Sequence, residues 1–355
     1  MRILMTSDGV GGLGVFASEL ARALARHGHR VKLVQLGPPA PLPPNLGEGV
    51  EPVHLPGPLE WMRDAGDAAS LESRQLGDAP SASGRPLPGS DARPQPDQRE
   101  GGSSKRWPCH AQLARTQSEL AALARSWRAE LIHANHFAFA ACTPGTPAVL
   151  GIHSDLVSWW RTVRGLPPPH DAFHGWYRTL VHTALQRAQA VVAPTQAALD
   201  DLRSSFGFDR GEVIPHGCAP EQFRCGLKKK QAVTLGRLWD PAKQISLLRR
   251  SDLAMPVAVA GELHPPGSGA AGLRGPRRAA VTDGSAGREA GGPRLMEIEF
   301  LGPLPRSEVI GLLARARVYI ATSGYEPFGL APLEAAFCGC ALLLNDLPSF
   351  REVWG

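Results

Sequence analysis

Residues 319–334 read Tyr-Ile-Ala-Thr-Ser-Gly-Tyr-Glu-Pro-Phe-Gly-Leu-Ala-Pro-Leu-Glu. Tyr319 to Ala321 read as the end of a buried strand, and Glu326 stands in the turn that follows. Glu334 falls inside a helix whose start Pro332 favours. Strand, turn and helix start bring backbone N–H groups and a carboxylate to one mouth, and a helix N-terminus favours negative charge there. That mouth suits an anion carrying hydroxyls, such as a diphosphate flanked by two polyols. Glu326 and Glu334 lie eight positions apart, one in the turn and one in the helix. That gap argues against a single acid/base dyad on one face. The pair suits two hydroxyl clusters on either side of a diphosphate. The plainer alternative is a solvated pair in a helix-capping segment.

Strand-like and helix-like segments alternate on both sides of this stretch, the pattern of a parallel α/β sheet. Toward the N-terminus, Arg2–Thr6 and Arg30–Leu36 read as strands. Between them Leu13, Phe16, Leu20 and Leu24 share a helical face that Gly28 ends. Leu113, Leu120, Leu123 and Trp127 stripe a second helix. Strands at Glu130–His133, Pro147–Ile152 and Ala190–Ala193 follow, a helix spans Trp176–Arg187, Thr195 caps another, and Val213–Ile214 closes the set. A second set runs through a strand at Ala232–Leu235, a helix at Pro241–Arg250, and strands at Val257–Ala260 and Ile298–Leu301. A helix from Arg306 and strands at Val318–Ala321 and Ala341–Leu344 complete it. Two doubly wound units are the simplest account. They divide the chain into residues 1–215 and 216–355. The chain reads as stopping at Trp354-Gly355 just after a loop, with no closing helix.

Three further motifs carry chemistry. Gly9-Val10-Gly11-Gly12-Leu13-Gly14 satisfies G-x-G-x-x-G after a first strand. The acidic ribose ligand of a nicotinamide site is missing, because the second strand ends Val34-Gln35-Leu36-Gly37. The loop therefore reads as a glycine turn that lets a ligand approach backbone at a helix N-terminus, or as a structural turn. Gly236-Arg237-Leu238-Trp239-Asp240-Pro241-Ala242-Lys243 follows another strand. Arg237 and Lys243 can converge there on one anion, the first as a planar fork and the second as a compact charge. Two such cations would stabilise the charge that grows on a departing diphosphate. The alternative is two solvated surface charges. His153 stands just past a strand, where a parallel sheet faces its ligand crevice; His133 and His136 are weaker candidates, and a structural histidine is the bland reading. Trp159 and Trp160 read as core packing before they read as a sugar platform.

The chain has 355 residues, 20% charged and 43% apolar, with a net charge of +5, which describes a two-domain globular protein. Residues 67–108 and 264–294 are rich in Gly, Pro, Ser, Ala and Arg and are expected to be disordered insertions. Five arginines against two acids in 263–294 carry much of the positive charge. The remainder is near neutral, which argues against nucleic acid as a partner and leaves a modest peripheral membrane contact open. No apolar run approaches the about 18 residues of a membrane span. The opening strand lacks the features of a signal peptide, and the six cysteines show no metal spacing, so a reducing, cytoplasmic setting is expected.

Taken together, these residues resemble the family-4 retaining glycosyltransferases. The resemblance is most specific at Gly11-Gly12, His153-Ser154-Asp155, Gly236-Arg237 with Lys243, and Glu326 to Glu334. It implies a GT-B-like α/β fold of two facing Rossmann-like doubly wound domains, donor on the C-terminal one and acceptor on the N-terminal one. It implies Glu326 beside the donor sugar, Glu334 on the nucleotide ribose, and Arg237 and Lys243 on the diphosphate. By the same resemblance Phe328, Gly329 and Leu330 offer backbone to sugar and phosphate, Gly12 lies near the phosphates and His153 near the reacting sugar. It implies no metal and no cofactor; the substrates would be a nucleotide-diphosphate sugar and a sugar, lipid or small-molecule hydroxyl acceptor. It also implies a longer C-terminal domain with a last helix crossing back to the first, so the chain reads as truncated. A binding-only relic, or an epimerase or phosphorylase on the same scaffold, are the alternatives.

Overall fold

The computed structural model describes residues 1–38, 40, 45–62, 108–250, 255–264, 277–280 and 297–355. Two sheets organise them. The first has seven parallel strands: β1 (Arg2–Asp8), β2 (Arg30–Leu36), β3 (Val50–Leu55), β4 (Leu131–Ala134), β5 (Ala148–Gly151), β6 (Ala190–Ala193) and β7 (Glu212–Val213), in the order β3-β2-β1-β4-β5-β6-β7. The second is built from β8 (Lys229–Leu235), β9 (Val257–Ala260), β10 (Arg277–Ala280), β11 (Glu297–Gly302), β12 (Ala316–Ala321) and β13 (Ala341–Leu344). Its order is β10-β11-β9-β8-β12-β13, and β10 alone runs antiparallel, pairing with β11.

Both faces of each sheet are covered, which explains the unbroken apolar runs of the central strands. In the first sheet Ile3, Met5, Val31 and Leu33 pack with Ala17 and Ala21 of α1 (Leu13–Arg26). Alternate residues, Leu4, Val34 and Leu150 among them, face the opposite way. They meet Leu120 of α2 (Pro108–Ser126) and Val181 and Leu185 of a helix at Ala172–Arg187. Two helices come between in sequence: α3 (Phe137–Ala140) and α4 (Leu156–Arg164); the Ala172–Arg187 helix is α5, and α6 spans Gln196–Phe206. In the second sheet Val233, Ala258 and Tyr319 pack with Leu312 and Leu313 of α7 (Arg306–Arg315) and Ala335 of α8 (Leu330–Phe337). Ala232, Val257, Val259 and Ile320 pack with Leu248 on the other face.

Strand order reverses between β1 and β4 in one sheet and between β8 and β12 in the other. Ligands of open parallel sheets bind outside the carboxyl ends of strands at such switch points. The loops found there are the glycine turn after β1, the Arg237–Lys243 loop after β8 and the two-glutamate segment after β12.

Several expectations need correction. The segment 241–250 is not an α-helix but two 3₁₀ turns, Pro241–Lys243 and Ile245–Arg250, separated by Gln244 at φ 45°. The carbonyls of Ala242 and Lys243 are taken by Gly324 N–H (2.7 Å) and by the Thr322 hydroxyl (2.6 Å), so a helical ladder cannot use them. The segment read as a loop before Trp354 is helical: Pro348–Trp354 forms α9, with its Pro at the first position. Its Glu352 reaches the other sheet's layer, accepting from Gln196 N (2.7 Å) and Ala197 N (3.1 Å) at the start of α6. The two expected insertions lie largely outside the described residues. Within them Pro108 opens α2, and Arg277–Ala280 forms the edge strand β10 rather than a loop. No helix among the described residues is long and apolar enough to cross a membrane.

Candidate functional site

Arg237 and Lys243 leave the same loop but do not converge on one carboxylate. Each is held by a carboxylate. Arg237 Nη2 donates to Asp240 Oδ2 at 2.9 Å, and Lys243 Nζ pairs with Glu326 Oε2 across the β8/β12 switch point. Eight residues on from Glu326, Glu334 lies in α8 with only 8% of its side chain exposed, and Arg306 Nη1 approaches it at 2.6 Å. Burial pushes the Glu334 carboxyl up while Arg306 pulls it down, and the net direction is up. Every cation of the cluster is therefore neutralised internally.

Local geometry fixes the acid segment. Gly329 caps α8 at φ +92°, a conformation that favours glycine, and Phe328 is buried. The carbonyl of Glu326 accepts from the Ser349 hydroxyl of α9, and the carbonyl of Pro327 accepts from Thr195 Oγ1 (2.8 Å) at the cap of α6. Opposite stands the glycine turn of the first lobe. A Cβ on Gly11 would lie 3.6 Å from Arg237 Cδ, and one on Gly12 3.1 Å from Leu330 Cδ1. Gly11 and Gly12 thus face the arginine loop and the start of α8 with no side chain in between. Asp8 holds the turn by accepting from Val10 N (2.9 Å), and its other oxygen meets His136 Nε2 at 3.1 Å. Burial opposes the charge on His136, but the Asp8 hydrogen bond and the charges of Glu60 and Asp8 outweigh it, so its pKa is raised.

His153 sits at the same edge, past β5. The Asn135 amide donates through Nδ2 to the Thr6 carbonyl (2.7 Å), so Asn135 Oδ1 faces His153 Nε2 (2.8 Å) as an acceptor. That assigns the proton to His153 Nε2, and His153 Nδ1 accepts from His216 Nε2 at 3.2 Å. The His216 ring stacks on His153 (5.0 Å between centroids), packs on Phe16 (4.2 Å) and meets Phe328 edge-on (5.1 Å). A row of rings thereby runs from one lobe to the other. His133 is half-buried in β4, its Nδ1 enclosed and without a hydrogen-bond partner.

Burial depresses three of these histidines: His133 and His216 to about 4, and His153, helped by its histidine neighbours, well below the ordinary value. The sign follows directly. Below pH about 6.5 the unfolded chain binds protons that the folded chain refuses, so stability falls as pH drops from about 6.5 toward 4. Each such histidine contributes a slope of up to about 1.4 kcal/mol per pH unit. Against the opposite contributions of His136, Glu334 and Asp201, whose pKa values are raised, His133→Asn should remove about one histidine's share of the acid-side slope of the thermal unfolding midpoint between pH about 6.5 and about 5. An unchanged slope in that variant would show that His133 titrates normally in the fold.

Sequence reasoning placed Gly11, Gly12, Arg237, Lys243, Glu326, Phe328, Gly329, Leu330 and Glu334 at one cleft, with His153 on its first-lobe wall. It missed Asp240, Arg306, His216 and Asn135. Only His216 left a signal, a histidine three residues past the last strand of its sheet, as His153 is two past β5. Trp159, read as core, is half-buried and donates from Nε1 to Asp240 Oδ1 (3.1 Å).

Known proteins share this architecture. Residues 83–222 match Glycosyltransferase Family 4, and residues 295–355 match Glycosyl transferases group 1. Glycogen synthase of Mycobacterium tuberculosis (strain CDC 1551 / Oshkosh) is 40% identical over 58 residues, 16% of this chain and 14% of that protein. The chain thus matches about one seventh of that relative's length. Sucrose-phosphate synthase from Thermosynechococcus elongatus superposes with a TM-score of 0.64 at 16% identity, over 99% of this chain and 82% of that one. HepE of Anabaena, solved with UDP and glucose, superposes with a TM-score of 0.59 at 14% identity, over 100% of this chain and 83% of that one. At such identities the likeness is one of fold, and the fold is GT-B.

Proposed function

We propose that this chain is a glycosyltransferase that moves a sugar from a nucleotide-diphosphate donor to a hydroxyl acceptor with retention of configuration. The observation that carries the reading is the Lys243–Glu326 pair spanning one switch point directly beside Arg237, with Gly11 and Gly12 of the other switch point facing it. The two matched glycosyltransferase families and the UDP and glucose bound by HepE support the same ligand class. Arg237, Lys243 and the N–H groups at the start of α8 would stabilise the departing diphosphate. Glu326, released from Lys243, and the Phe328–Leu330 backbone would orient the sugar, and Glu334, released from Arg306, would take the ribose. His153 would reach the sugar by exchanging His216 for a sugar hydroxyl. Among the described residues no side chain stands out as a covalent nucleophile, so the acceptor oxygen would attack from the face the diphosphate leaves. The leaving phosphate oxygen would take the acceptor's proton.

A panel of nucleotide sugars screened by thermal shift, followed by assay of nucleotide release and of product anomeric configuration by NMR, tests the reading. Absence of any hit, or a product with inverted configuration, would overturn it in whole or in the retaining part. Glu334→Ala should weaken nucleotide binding about 10- to 100-fold, the loss of hydrogen bonds to one charged group, whereas His153→Ala should mainly slow turnover. Equal affinity of wild type and Glu334→Ala in calorimetry would remove the ribose assignment.

A further inference from the structure

Asp240 does more than neutralise Arg237. Its side chain is 4% exposed and serves three donors from three directions. Oδ2 accepts from Arg237 Nη2 (2.9 Å), and Oδ1 accepts from Ala242 N (3.0 Å) and from Trp159 Nε1 (3.1 Å). The first two belong to its own loop; the third comes from α4 of the other lobe. The guanidinium is fixed on two sides, one arm on Asp240 and its plane over the Trp239 ring at 5.7 Å. Nε and Nη1 remain on the side of Gly11, 3.9 and 3.8 Å from where a Cβ would stand.

We infer that Asp240 is a positioning residue that couples the approach of the two lobes to the aim of Arg237, with Trp159 as its counterpart in the first lobe. The inference rests on the donor-site reading above and adds to it. When the lobes are together, Trp159 supplies a third donor to the carboxylate, spreads its charge and loosens its hold on the guanidinium. The free edge of Arg237 then points across Gly11 to where a diphosphate would sit. When the lobes part, the indole N–H leaves, and the carboxylate draws Arg237 more tightly onto itself. The arginine is thus presented to an anion only in the assembled cleft.

The test uses the full chain with Asp240→Asn, Trp159→Phe and the double variant. UDP, GDP and ADP binding is measured by calorimetry, and turnover by nucleotide release from the donor that the screen identifies. Asp240→Asn removes a charge that competes with the diphosphate, so nucleotide affinity should hold within about threefold or tighten, while kcat falls tenfold or more. Trp159→Phe should show the same split with a kcat loss of about three- to tenfold. The double variant should be no worse than Asp240→Asn, since both act through one link. A merely structural role would lower affinity, kcat and melting temperature together, and that pattern overturns the inference; so do wild-type kcat values or additive losses. Should Asp240→Asn fail to fold, the split in Trp159→Phe decides alone. Wild type that binds none of the three nucleotides removes the donor-site reading and this inference with it; wild type that binds and turns over beside unaffected variants removes only this inference.

Discussion

Lys243→Ala is expected to lower sugar transfer about 10²- to 10³-fold, the usual cost of removing one preorganised group aimed at developing charge. Lys243 is 16% exposed and its partner Glu326 21%, so the ion pair sits where water screens it weakly. The Lys243 ammonium is paired with Glu326; under the proposed reaction it would answer a diphosphate whose charge rises as the glycosidic bond breaks. Binding of the intact donor should suffer less than kcat, since the donor carries less charge on the leaving oxygen than the transition state does. Lys243→Arg should restore only part of the rate, because a planar fork cannot occupy the place of a compact ammonium beside Glu326. The measurement is kcat and KM by nucleotide release. A kcat loss below about threefold in Lys243→Ala would mean the diphosphate lies elsewhere.

Gly261→Ala is expected to be the most damaging single methyl in the described chain. Gly261 follows β9 at φ +145°, and a Cβ there would stand 1.7 Å from the carbonyl oxygen of Gly236, which follows β8. The two strand ends are tied: Gly236 N donates to Ala260 O (3.1 Å), and Gly261 N donates to Gly302 O (2.9 Å). Neither can retreat without breaking ladder bonds, and Gly236 is itself packed on the Lys243 side chain. Overpacking against backbone at a strained φ should cost about 3 kcal/mol or more, which for a domain of this size is a fall of roughly 6–12 °C in Tm. Whatever folded protein remains should carry Arg237 out of place and bind nucleotide poorly. Gly145→Ala is the control. It has φ +86° but nothing within 4 Å, so only the backbone penalty of about 1 kcal/mol applies. Similar melting of the two variants would show that the β8 and β9 ends do not approach as described.

Much of the fold was legible because its signals are local. Val257–Ala260 reads as a buried strand from four apolar residues in a row, and the Leu13–Leu24 stripe reads as a helix from its spacing. The segment 241–250 misled because its composition suits a helix, while the decisive partners, Thr322 and Gly324, lie some 80 residues away. Pro348–Trp354 was too short to announce itself by periodicity, and its packing on α6 supplies what its length does not. The site divides the same way. Arg237, Lys243, Glu326 and Glu334 stand at strand ends and helix starts that sequence spacing can locate. Which carboxylate holds which cation is a tertiary matter: Lys243 with Glu326 across 83 residues, and Arg306 with Glu334 from two different helices, leave no mark on either neighbourhood.

Across the cleft the lobes are fastened unevenly. On one flank Thr195, Gln196 and Ala197 are bonded to Pro327 and Glu352, two of those three bonds ending on a carboxylate. On the other, Gly11 and Gly12 meet Arg237 and Leu330 by bare contact, and the polar ties are single side-chain bonds, Trp159 Nε1 to Asp240 (3.1 Å) and Gln222 Nε2 to Glu19 (2.6 Å). Where Gly11 comes up to Arg237, the guanidinium therefore faces bare main chain, with no neighbouring side chain to shield it.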